Sequence, residues 1–163
     1  MTEKPTALIV GVGAGLSASL ARKARAEGLM PLLAARNIDK LKPLLDEVGG
    51  AAQICDVSNP TQVTALFDWA EGFGGAPELV VYNPSARMRG PIEELDPDAV
   101  LQAITITAYG GFLVGQAAAK VMLPRGTGSI LFTGASASVK GYVNSSVFAM
   151  GKFGLRGLAQ SMA

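Results

Sequence analysis

The sequence predicts an α/β protein built on a doubly wound parallel sheet, and three observations carry the prediction. Five short aliphatic runs, Ala7–Val10, Leu29–Ala34, Ala51–Ile54, Leu79–Tyr82 and Ser129–Thr133, read as strands. Helical patterns separate them, over Leu16–Glu27, Asp39–Val48, Pro60–Phe73, Pro97–Met122 and from about Ser146 onward. No run alternates apolar with polar residues, as expected of strands covered on both faces. A βαβαβ order of this kind implies right-handed crossovers and ligands at the carboxyl ends of the strands.

Each element has local support. Asp96 before Pro97, and Ser58 and Asn59 before Pro60, are helix-start chemistry with proline tolerated in the first turn. Gly74–Pro77 and Pro124–Gly128 mark loops. No repeat, linker or low-complexity segment divides the chain, so residues 1–163 read as a single domain.

Composition removes several function classes. The 163 residues are 49% hydrophobic and 17% charged, with mean hydropathy +0.33, enough for one sizeable core. Fourteen basic and thirteen acidic residues leave a net charge of +1 and no basic tail, which argues against nucleic acid or a membrane surface as partner. There is no histidine and one cysteine, Cys55. Ser-His and Cys-His nucleophile pairs, histidine metal clusters and an internal disulfide are thereby excluded, and the expected compartment is reducing and cytoplasmic.

Two segments imitate targeting signals. Pro5–Ala21 has the apolar middle of a leader, yet Glu3 and Lys4 cancel in charge and glycines interrupt the run. Ala99–Ala119 is uncharged and long enough to span a bilayer, but contains Gln102, Thr105, Thr107, Tyr109 and Gln116, and reads as a buried helix.

The residues after each strand carry the chemistry. Gly11, Gly13 and Gly15 follow the first strand and open a helix with Leu16, the context in which backbone amides at a helix N-terminus cradle a pyrophosphate. A plain tight turn is the alternative. Ser17 stands where the dinucleotide pattern wants a third glycine; being small, it is expected to shift the helix slightly without abolishing the site. Arg36 follows the second strand where an acidic residue would bind ribose hydroxyls, which favours a 2′-phosphate and hence NADP(H) over NAD(H), although a solvated arginine fits too. After the third strand, Asp56 could accept from an adenine amino group with Val57 against the ring, or simply cap the next helix.

With Asn83 after the fourth strand and Lys152 in the last helix, this order of residues resembles the short-chain dehydrogenase/reductase family, which binds NAD(P) on a Rossmann-like sheet. The resemblance covers essentially the whole chain. Gly11 and Gly15 match the ends of the family's TGxxxG stretch, with Val10, Leu16 and Ser17 replacing its threonine, isoleucine and final glycine. Asn83 falls on the second asparagine of the NNAG segment, between Tyr82 and Pro84–Ser85.

What the resemblance implies is hydride transfer between a nicotinamide and a carbonyl or alcohol carbon, with a tyrosine exchanging the proton and a lysine lowering its pKa. In this chain Phe148 occupies the tyrosine position of YxxxK, Ala135 the serine position and Thr107 the helix asparagine position. Lys152 alone remains, as candidate catalytic residue and as ligand of the nicotinamide ribose; an exposed lysine on an amphipathic helix is the alternative. Ser136, Ser138, Tyr109 and Tyr142 are weak substitutes for the missing acid.

Two functions follow. One is an NADP(H)-dependent oxidoreductase with a degenerate site, in which loss of the acid costs on the order of two to four powers of ten. The other is a dinucleotide-binding sensor or subunit without turnover. The resemblance further implies C-terminal strands beyond Ala163, so the chain is expected to be C-terminally incomplete, and a homodimer or homotetramer paired through the two long helices.

Overall fold

The computed structural model describes residues 5–163; the Glu3–Lys4 pair lies outside them. Five strands, β1 (Thr6–Val10), β2 (Met30–Ala35), β3 (Ala51–Ile54), β4 (Leu79–Tyr82) and β5 (Ser129–Phe132), form one sheet in the order β3-β2-β1-β4-β5. Every pairing is parallel. Six helices connect or follow them: α1 (Leu16–Ala26), α2 (Lys42–Val48), α3 (Pro60–Glu71), α4 (Pro97–Ile104), α5 (Gly110–Met122) and α6 (Ser146–Met162).

The sheet is covered on both faces. Leu8, Val10, Leu32 and Val80 point into a cluster with Val63, Leu66 and Phe67 of α3, Val114 and Ala118 of α5 and Leu155 of α6. Ile9, Leu33 and Val81 point the other way, onto Ala18 and Ala21 of α1 and Leu44 and Val48 of α2. All of β1 is buried, which accounts for its unbroken apolar run. The edge strand β5 departs from that expectation: Ser129 and Leu131 are exposed while Ile130 and Phe132 are half-buried, because helices cover only one of its faces.

The predicted helix starts hold. Asn59 Oδ1 accepts from the amides of Thr61 (3.0 Å) and Gln62 (3.2 Å), and Asp96 Oδ1 from that of Ala99 (2.8 Å). The expected single helix over Pro97–Met122 is instead two, joined by a π-helical turn at Thr105–Tyr109. The Tyr82 hydroxyl donates to the Ile106 carbonyl inside that turn. A Cβ on Gly110 would press on the Tyr82 hydroxyl and Val57, and one on Gly111 on Leu155. The helix therefore passes tightly over β4, and the widened turn frees a carbonyl for the tyrosine. Hydrophobic periodicity carries no trace of one inserted residue. Although Pro97–Arg125 is long and apolar enough to cross a membrane, Leu113, Val114, Ala118 and Met122 bury its inner face in the core.

Candidate active site

Strand register builds the site. Val10 lies opposite Ala34 on one side and Tyr82 on the other, so the residues leaving β1, β2 and β4 emerge level with one another. The sheet order reverses between β2-β1 and β1-β4, the switch point at which open α/β sheets bind ligands. A crevice of about 400 Å³ opens there, and Gly11, Arg36, Asp56, Val57 and Asn83 all line it. Gly13, Gly15 and Leu16 stand at the head of α1 outside that lining, and Lys152 lies under the end of β5.

The loop after β1 is held on both sides. Gly11 has φ +80°, which favours glycine, and its amide donates to the Ala34 carbonyl at 2.9 Å. Ser17, 1% exposed, donates through Oγ to the Gly11 carbonyl (3.1 Å) and accepts from Asn83 Nδ2 (2.7 Å). The residue read only as a small stand-in for glycine thus ties the loop to the end of β4. Ser17→Ala removes that tie, empties a buried hydroxyl site and leaves the half-buried Asn83 amide short of an acceptor, so urea denaturation is expected to show a loss of about 1–2 kcal/mol. A change under about 0.5 kcal/mol would show the bridge to be idle.

Around the crevice the electrostatics are local. Asp56 does not cap α3, a task that falls to Asn59; its Oδ1 accepts from the Ser58 hydroxyl (2.7 Å) and amide (3.0 Å). Those bonds, with the Arg36 guanidinium adding to them, hold its carboxyl below the usual range. Cys55 is buried, and burial together with the Asp56 charge pushes its thiol up to about 11, so it is a neutral wall of the crevice. Burial likewise raises the Tyr82 phenol, which serves as a donor to Ile106.

Lys152 is not the exposed lysine of the alternative reading: it is 3% exposed and donates to the Thr133 carbonyl at 2.6 Å. Burial, and then the charge of Arg87, lower its pKa. Its ammonium sits 5.8 Å from the centroid of the Phe148 ring, and the Arg87 guanidinium lies over the same ring at 4.4 Å. Sequence reasoning missed Arg87. Nothing in its spacing marks it, because the contact joins the loop after β4 to a helix about sixty residues later in the chain.

The substitutes for the missing acid separate. Ser138 Oγ accepts from the Ala135 amide at 3.1 Å, and Tyr109 stacks on Phe112 on the outer face of the helix. Thr107 is buried and its Oγ1 accepts from the Ala86 amide at 3.0 Å. Ser136 and Tyr142 share a second cleft with Ala135 and Phe148.

Known proteins match this arrangement along its whole length. A family model described as short chain dehydrogenase matches residues 5–163. The crystal structure of a short-chain dehydrogenase from Rhodopseudomonas palustris is 35% identical with TM-score 0.92, over 98% of this chain and 77% of that one. A metagenomic short-chain oxidoreductase in complex with NADP is 25% identical with TM-score 0.91, over 98% and 75%. Among curated relatives, (+)-borneol dehydrogenase 1 of Salvia officinalis is 27% identical over 99% of this chain. The chain spans 61–64% of the length of that protein and of two further curated relatives. With the parallel sheet order and a family model matched over residues 5–163, the chain belongs to the short-chain dehydrogenase family.

Proposed function

We propose that residues 5–163 form the single dinucleotide-binding domain of an NADP(H)-dependent oxidoreductase that acts on a carbonyl or alcohol. The observation that carries this reading is the crevice at the switch point, which gathers Gly11, Arg36, Asp56, Val57 and Asn83 from four separate loops.

The residues fit the cofactor. A Cβ at Gly13 would meet nothing within 4 Å, so packing has no need of glycine there, whereas an approaching pyrophosphate does. The first turn of α1 has neither a side-chain cap nor an acidic residue, which leaves its amides for an anion. Arg36 pairs with the 2′-phosphate, Asp56 accepts from the adenine amino group, Val57 packs on the ring, and Asn83 braces the loop through Ser17. Lys152 keeps donors for the nicotinamide ribose beyond the one spent on Thr133. When bound, the nicotinamide supplies or accepts the hydride. The proton comes from another hydroxyl, from water or from the substrate, since Phe148 and Ala135 hold none. The complex in the metagenomic relative supports NADP as the cofactor.

Assembly as a homodimer or homotetramer in the cytoplasm belongs to the same reading. Exposed Leu101, Tyr109, Phe112, Met150 and Phe153 place apolar surface on the two long helical segments.

Titration of the full chain with NADPH and NADH tests the cofactor. Arg36→Ala is expected to weaken NADPH about 10–100-fold, the worth of one charge-assisted contact, and to leave NADH within about twofold. Turnover of a ketone panel by the wild type and by Lys152→Met tests the chemistry. NADPH binding without turnover on any carbonyl would favour the non-catalytic binder, to which the replaced Phe148, Ala135 and Thr107 lend themselves. Absence of binding to either dinucleotide would overturn both.

A further inference from the structure

The loop leaving β4 runs from the cofactor crevice into a second cleft. Asn83, Pro84 and Ser85 line the crevice, while Arg87, Met88, Arg89 and Gly90 line a cleft of about 740 Å³ closed by residues 135–137, 142–145 and Phe148. No residue lines both.

Charge in this cleft has one sign. Its charged residues are Arg87 and Arg89; no aspartate or glutamate lines it, and neither arginine makes an ion pair or hydrogen bond with any described residue. Arg87 is nonetheless placed: its guanidinium lies over the Phe148 ring, an interaction that uses its charge and leaves its N–H donors uncommitted. The Lys152 ammonium approaches the same ring. Two cations at one neutral ring raise each other's energy, and the Arg87 charge adds to burial in lowering the Lys152 pKa. Ser145, the residue just before α6, also faces the cleft, and the first turn of that seventeen-residue helix has neither a side-chain cap nor an acidic residue, so the positive end of its dipole adds to the same field. An anion in the cleft would relieve all of these at once.

We propose that this cleft takes a substrate bearing a carboxylate or a phosphate, with Arg87, held on the Phe148 ring, as the group that anchors it. The proposal rests on the oxidoreductase reading for the word substrate, but the anion site stands on its own residues. Ser136, Tyr142 and Asn144 supply hydrogen-bonding partners for the rest of a polar molecule. Phe148 thereby gains a use that a tyrosine is not needed for: its ring face fixes an arginine.

Calorimetry on the full chain, with and without saturating NADP, reads this directly through two pairs of probes: 2-oxobutanoate against its amide, and dihydroxyacetone phosphate against dihydroxyacetone. The charged member of at least one pair is expected to bind ten-fold or more tighter than its neutral partner, and the pair with the larger ratio tells carboxylate from phosphate. In Arg87→Met, with the fold checked by circular dichroism, that ratio falls to within about twofold while NADPH affinity is unchanged; Arg87→Lys, which keeps the charge and loses the fork, restores part of it. Equal affinity for charged and neutral members in the wild type, binding of neither, or a ratio that survives in both Arg87 variants overturns the proposal. Loss of NADPH binding with the ratio intact overturns the cofactor reading alone.

Discussion

Phe148→Tyr combined with Ala135→Ser is expected to raise turnover of a carbonyl substrate by about 10²- to 10⁴-fold, the usual worth of a positioned general acid. The site is already prepared for the hydroxyl. Lys152 lies one helical turn beyond residue 148, is pinned by the Thr133 carbonyl and approaches the ring, while Arg87 covers it. Both cations favour a phenolate, so the new phenol titrates below its ordinary value near 10. The sign follows: below that lowered pKa the phenol is protonated and serves as acid for carbonyl reduction, and above it the phenolate serves as base for alcohol oxidation. The oxidation rate should therefore rise with pH through a midpoint below about 10, and the reduction rate should fall through the same midpoint. Ala135 is extended (φ −154°, ψ 170°) and lines the cleft with Phe148, so a serine there adds a donor on the substrate side without backbone strain. Stopped-flow oxidation of NADPH by a ketone panel between pH 6 and 10 provides the measurement. A double variant no faster than the wild type, with cofactor binding retained, would show that the proton does not pass through this position.

Gly11→Ala is expected to cost about 2–4 kcal/mol of stability and at least tenfold in NADPH affinity. The φ of +80° opposes any Cβ, and the added atom would stand 2.6 Å from Pro84 Cγ and 2.7 Å from the Pro84 nitrogen. A proline ring cannot swing aside, and its nitrogen is backbone. Relief must come from moving the loop, which the Ala34 and Ser17 hydrogen bonds resist. Gly13→Ala provides the contrast. Gly13 has no positive φ and its Cβ would meet no atom within 4 Å, so the urea midpoint should barely move while NADPH affinity falls. Unchanged affinity in that variant would remove the pyrophosphate from the head of α1.

Pattern and packing were legible to different degrees. The five strands, the helix starts at Asn59 and Asp96 and the convergence of Gly11, Arg36, Asp56, Val57 and Asn83 could be read ahead of the structure, because each depends on neighbours in the chain or on the fixed geometry of parallel crossovers. The Asp56 side chain was open between two tasks, and only the placement of Ser58 and Asn59 excluded the cap. The π turn, the Ser17 bridge and Arg87 were not legible, since each is a contact between segments distant in sequence.

By itself the sequence determined a doubly wound α/β chain with a glycine turn before its first helix and no hydroxyl at the tyrosine and serine positions of its family. The tertiary structure alone decided that Lys152 is buried on a carbonyl of the strand end, that Ser17 joins two loops and that an arginine occupies the face of Phe148. The reason is physical: periodicity and turn chemistry act over a few residues and leave their mark in the order of the letters. Close packing brings together groups 60 or more positions apart, as with Ser17 and Asn83, and that pairing is written only in the folded chain.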